Sequence, residues 1–98
     1  MSGLNIRGGL TMALIVKVDG SEEVRDVKGY EDVSDIIGGW IQLVPVSYKE
    51  YNYLLCDEEG KLKGLQINER ATQMVVGQLL PFDFLVGTIV FLKRGELE

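Results

Sequence analysis

No histidine occurs anywhere in this chain. That removes the usual general base near neutral pH and the commonest metal ligand. A Ser-His-Asp or Cys-His nucleophile cannot be assembled, and ordinary zinc sites are excluded with it. The single cysteine, Cys56, cannot close an internal disulfide, and no paired-cysteine metal spacing exists. Its expected role is that of a small buried hydrophobe on a strand. No Gly-rich loop ends in Lys-Ser/Thr, and no G-x-G-x-x-G follows a strand. The chain therefore reads as non-catalytic, with no cofactor expected.

Three groups of residues retain some chemistry. Asp57, Glu58 and Glu59 are adjacent carboxylates of the kind that hold calcium or magnesium. They precede Gly60-Lys61 in a turn too tight to wrap an ion, so a solvated acidic turn is expected and no metal site. Asn68 stands ahead of Glu69-Arg70, where the free amides of a helix start and the Arg70 guanidinium could hold a carboxylate or phosphate. Trp40, after Gly38-Gly39, and Lys61 complete this candidate ligand-binding set. Against it stand a surface ion pair for Arg70 and core packing for Trp40. Tyr48, Tyr51 and Tyr53 cluster around one strand. Strict alternation puts Tyr51 and Tyr53 on one face, either for partner binding or for cross-strand packing.

These residues need a scaffold, and hydrophobic periodicity supplies one. Met12–Val18 is aliphatic and β-branched and ends at Asp19-Gly20, a strong hairpin signal. Glu22–Lys28 returns, with Val24 and Val27 read as inward. Tyr30, Val33, Ile36 and Ile37 fall at helical spacing, and Gly38-Gly39 ends that helix. Trp40–Val46 is apolar on both faces, which predicts a central strand, although Pro45 marks its end or an edge. Tyr51–Cys56 is a further strand, and Lys61–Gly64 is expected to return as a short one. Asn68 caps a second helix running to about Val76 and stopping at Gly77. Gln78–Asp83 is a loop around Pro81, and Phe84–Lys93 is a closing strand broken at Gly87.

The resulting order is β-β-α-β-β-(β)-α-β. It predicts an α+β domain with a mainly antiparallel sheet of five to six strands and two short helices on one face. Residues 1–11 read as a flexible leader, 12–94 as a single domain and 95–98 as a polar tail. A sheet with one bare face needs cover, and a homodimer would supply it.

Ninety-eight residues suit one domain with one modest core. Fifteen acidic against ten basic residues give a net charge of −5, which argues against nucleic-acid binding. The apolar runs, such as Met12–Val16, fall far short of the ~20 residues that span a bilayer. No signal segment is expected, and with a lone cysteine the reading is cytoplasmic.

Three stretches together carry a resemblance. They are Ile37-Gly38-Gly39-Trp40-Ile41-Gln42-Leu43-Val44, the block from Leu55-Cys56-Asp57-Glu58-Glu59-Gly60-Lys61 through Leu62-Lys63-Gly64-Leu65-Gln66-Ile67-Asn68, and Phe82-Asp83-Phe84-Leu85-Val86-Gly87. Their combination resembles the domain-of-unknown-function family numbered 3846, found in bacteria, mobile elements and bacteriophages. That family shows a G-G-aromatic-I-E-x-V strand, a C-N-E-E-G-K-L-x-G-L-x-x-N block and a Y-D-I-I-x-G strand. Here Gln42 replaces the acid, Asp57 replaces the Asn, and Asn68 is followed by Glu69 before Arg70. The resemblance spans about Met12 to Leu92. It implies a phage or mobile-element setting in a host cytoplasm and no assigned activity. The function expected is a non-catalytic accessory role through a protein partner or self-assembly. The alternative is a small anionic-ligand binder using Asn68–Arg70.

Overall fold

A computed structural model describes residues 11–96. The leader expected at residues 1–11 lies outside these except for Thr11, which already pairs with Val27 in the first hairpin. The elements are β1 (Thr11–Val16), β2 (Glu22–Val27), α1 (Tyr30–Ile37), β3 (Ile41–Tyr48), β4 (Tyr51–Asp57), α2 (Glu69–Met74) and β5 (Ile89–Leu92). The strands form one antiparallel sheet in the order β2-β1-β5-β4-β3. This is the expected α+β class, with five strands among the described residues.

Local chemistry accounts for the boundaries. Gly20, at φ 89°, turns β1 into β2, and Asp19 accepts from the Ser21 amide at 2.8 Å. α1 ends at Gly38, whose left-handed φ of 92° lets its N–H reach the Ser34 carbonyl at 2.7 Å. α2 begins at Asn68, whose side chain accepts from the Ala71 amide at 3.0 Å.

The two helices cover opposite faces of the sheet, not one. Val33 and Ile37 of α1 pack on Ala13, Ile15, Leu55 and Val90. Ala71 and Met74 of α2 pack on Leu14, Val16, Leu54 and Phe91. The physical reason is the pleat: successive residues of β1 and β4 point to alternate sides, and both sides are apolar. Phe91, fully buried under α2, contributes about 1.5–3 kcal/mol by leaving water. With both faces covered, the bare sheet face that called for a homodimer does not exist.

Other expectations are corrected in the same way. β3 is an edge strand rather than a central one. It is apolar on both sides because Leu43 packs into the α1 face and Val44 and Val46 into the α2 face. Pro45, without a donor, suits that edge. Val24 and Val27, three apart on a strand, point to opposite faces; Val27 is buried in the α1-side core and Val24 is exposed. Lys61–Gly64 forms consecutive turns instead of a strand. Its amides are satisfied locally, Lys63 N–H to Glu59 at 2.9 Å and Gly64 N–H to Lys61 at 3.1 Å. The closing strand shrinks to β5, with Val86 making only an isolated bridge to Ile67. Tyr51 and Tyr53 do not share a face, because the β3–β4 register shifts between Pro45 and Tyr48. Tyr51 packs on Phe91 in the α2 face, while Tyr53 pairs with Leu92 of the α1 face. Among the described residues no helix is long and apolar enough to cross a membrane.

Candidate functional site: a groove beside the edge strand

The chain leaves β4 at Asp57 and turns back sharply, and that turn is organised by Asp57 itself. Its carboxylate accepts from the Glu59 amide at 2.8 Å and from Lys63 Nζ at 2.6 Å. The Asp57 side chain is 2% exposed, so its charge depends on Lys63 for compensation. Lys63 also donates to the Gly38 carbonyl at 3.2 Å. This explains the Gly-Gly pair: a Cβ on Gly39 would stand 2.7 Å from Lys63 Nζ and 2.8 Å from Asp57 Oδ2. The turn after β4, the glycines after α1 and Lys63 are one packed unit.

Beyond α2 the chain returns along the same end of the sheet. Asn68 fixes its course. Its Nδ2 donates to the Val16 carbonyl at 2.9 Å and the Gly87 carbonyl at 2.8 Å. Thr72 Oγ1 accepts from the Leu85 amide at 3.0 Å. Gln78 reaches the edge strand, its amide donating to the Ser47 carbonyl at 2.9 Å and accepting from the Ser47 N–H at 2.7 Å.

Between these two returning segments lies a groove of about 390 Å³. Gln42, Val44 and Cys56 of the β3–β4 pair form its floor on the α2 face. Glu58, Lys61 and Leu62 form one wall, and Gln78–Leu80 with Asp83–Val86 form the other. Lys61 joins the walls: its ammonium pairs with the Asp83 carboxylate and sits 4.8 Å from the centre of the Phe84 ring. That ammonium holds the Asp83 carboxyl below its ordinary value of 3.8. Burial, with the Asp57 charge adding to it, pushes the Cys56 thiol up from 9.0 to about 11. A thiol so placed is protonated at neutral pH and a poor nucleophile.

The rim is apolar and exposed. Leu62 is 88% exposed and Leu80 77%; Phe82, 100% exposed, lies in the turn between Leu80 and Asp83 without itself lining the groove. Phe82 occupies the third position of a tight turn, Leu80-Pro81-Phe82-Asp83, closed by the Asp83 N–H on the Leu80 carbonyl at 2.9 Å. Its φ is 64°, a left-handed value that glycine or asparagine normally supplies at this position after proline. A bulky residue there costs about 1–2 kcal/mol and gains no burial in return. Strain of this kind concentrates at sites of function.

The groove gathers only part of the candidate set read from the sequence. Lys61, Asp57 and Glu58 line it. Glu59 does not, and among the described residues no three His, Cys, Asp or Glu side chains are grouped to hold a metal ion. Trp40 is 57% exposed outside the lining, with its carbonyl taken by the Glu58 amide at 2.8 Å. Asn68 is fully buried, and both atoms of its amide are committed to the backbone. Arg70 spans to β2, its Nε donating to Glu22 at 2.7 Å. The start of α2 therefore stitches the fold together, with Asn68 committed inside and Arg70 paired to Glu22 at the surface. Sequence reasoning missed Leu80 and Phe82, because a loop has no period to mark an apolar residue as misplaced, and Phe84, because the pattern places it in the closing strand, which begins only at Ile89. The usable signal was Pro81-Phe82, a turn sequence with a large aromatic where a small or flexible residue belongs.

A family model described as Domain of unknown function (DUF3846) matches residues 10–97, and the chain belongs to that family. No curated protein and no solved structure matches it.

Proposed function

We propose that this member of the family is a non-catalytic accessory protein that binds a partner protein through the groove beside β3. One observation carries the reading. Phe82 is wholly exposed in the turn between the lining residues Leu80 and Asp83, in a backbone conformation that costs stability. Aromatic residues held rigidly at the surface are the usual energetic centre of a protein interface. Leu62 and Leu80 extend the apolar area around it. The Cys56 thiol, protonated at neutral pH, and the paired Asp57 and Asp83 carboxylates suit contact better than chemistry. The setting proposed is the phage or mobile-element one, in a host cytoplasm, that the motifs imply.

The partner is read as a different chain. Each copy carries a net charge of −5, so self-association meets repulsion. Strand addition at β3 is hindered by Pro45 and by Gln78, which already occupies Ser47 as a neighbouring strand would. The test compares immobilised wild type and Phe82→Ser against one host lysate, with sedimentation of the free chain. Proteins retained by the wild type and lost by the variant, from a chain that sediments as a monomer, support the reading. Identical capture by both, or a dimer that Phe82→Ser leaves intact, overturns it.

A further inference from the structure

Resting on that reading, we infer that the groove takes a short segment of the partner carrying a large apolar side chain next to a Lys or Arg. The floor and inner walls supply the apolar half: Val44, Leu79 and Leu85 line a cavity sized for one or two side chains. The charge at the mouth supplies the other half. Of the charged residues lining the groove, Asp57 is neutralised by Lys63 and Asp83 by Lys61. Glu58 remains without a cationic partner among the described residues, and Glu59 beside it is also exposed. A cation following an apolar side chain into the groove meets uncompensated negative charge at its mouth. An acidic segment meets repulsion there, as does a second copy of this acidic chain. Lys61 is not available to reverse this, because Asp83 and the Phe84 ring already hold its ammonium.

The experiment pans a displayed random-peptide library against the full chain, with Phe82→Ser as counter-selection. Enriched peptides are then titrated into wild type, Phe82→Ser and Glu58→Gln at low and high salt. Both positions are exposed, so both variants should melt like wild type. The expected peptides share a large apolar residue beside Lys or Arg. They bind Phe82→Ser more than about tenfold more weakly, as loss of an interface aromatic does. They bind Glu58→Gln roughly two- to fivefold more weakly, as loss of an exposed ion pair does, and high salt erases that difference. Peptides that depend on Phe82 but lack a basic residue and ignore Glu58→Gln overturn the inference while leaving the groove standing. Absence of any Phe82-dependent peptide removes the groove reading itself.

Discussion

Replacing Phe82 with glycine should make this protein more stable while removing the aromatic ring of the proposed interface. The side chain is 100% exposed, so deleting it gives up no burial. The backbone at φ 64° then becomes unstrained, a gain of about 1–2 kcal/mol. Against this, glycine adds freedom to the unfolded chain, a loss of about 0.4–1 kcal/mol. The balance is a stabilisation of about 0–1.6 kcal/mol, centred on about 0.8, which for a domain of this size raises Tm by about 3–6 °C at the centre. Phe82→Ala is the control: it removes the ring but keeps the strain, and should stay within about 0.5 kcal/mol of wild type. Urea unfolding followed by circular dichroism measures all three chains, provided the m-values agree. If Phe82→Gly loses more than about 0.5 kcal/mol, or if glycine and alanine behave alike, the strained and unpacked tip is wrong. The case for an interface there would fall with it.

Asn68→Ala should be among the most damaging single changes. It deletes a helix cap and strands two buried carbonyls, together about 3 kcal/mol or more, read as a lower urea midpoint. Gly39→Ala should cost about 1–3 kcal/mol by pushing Lys63 off a buried Asp57; combined with Lys63→Ala the loss should be smaller than the sum of the two. Cys56 should alkylate about a hundredfold more slowly at pH 8 than an ordinary thiol, since two units of pKa remove that share of thiolate, and mass spectrometry against the unfolded chain checks it. The sign of the linked stability follows. The folded thiol titrates above the unfolded one, so this contribution is complete below pH 9.0 and is lost as pH rises through about 11.

The parts of the fold set by local rules were legible in the residues. Asp19-Gly20 made the hairpin, Gly38 ended α1 with a left-handed cap, and Asn68 capped α2. Each depends on chemistry within four residues, and each appeared where the sequence placed it. The class, an α+β domain with a mainly antiparallel sheet of five to six strands, followed from their order, and five strands are present among the described residues. The absence of histidine by itself limits the available chemistry.

What failed depended on neighbours distant in sequence. Periodicity shows that β3 is apolar on both sides, but not whether another strand flanks it. It is an edge because β4, its hairpin partner, pairs on its other side with β5, and among the described residues no strand pairs with the far side of β3. The two helices took separate faces because alternate residues of β1 and β4 are apolar on both sides. Asn68 read as a ligand-facing cap because sequence could not show Val16 and Gly87 closing over its amide, 52 and 19 residues away. The groove belongs wholly to this second category. Its floor, its two walls and the Lys61–Asp83 link come from three separated stretches, joined only by packing on the sheet. Sequence alone determined what the protein lacks, no histidine and a single cysteine. Tertiary structure alone decided what it presents, because exposure is a property of contacts made or not made across the whole chain.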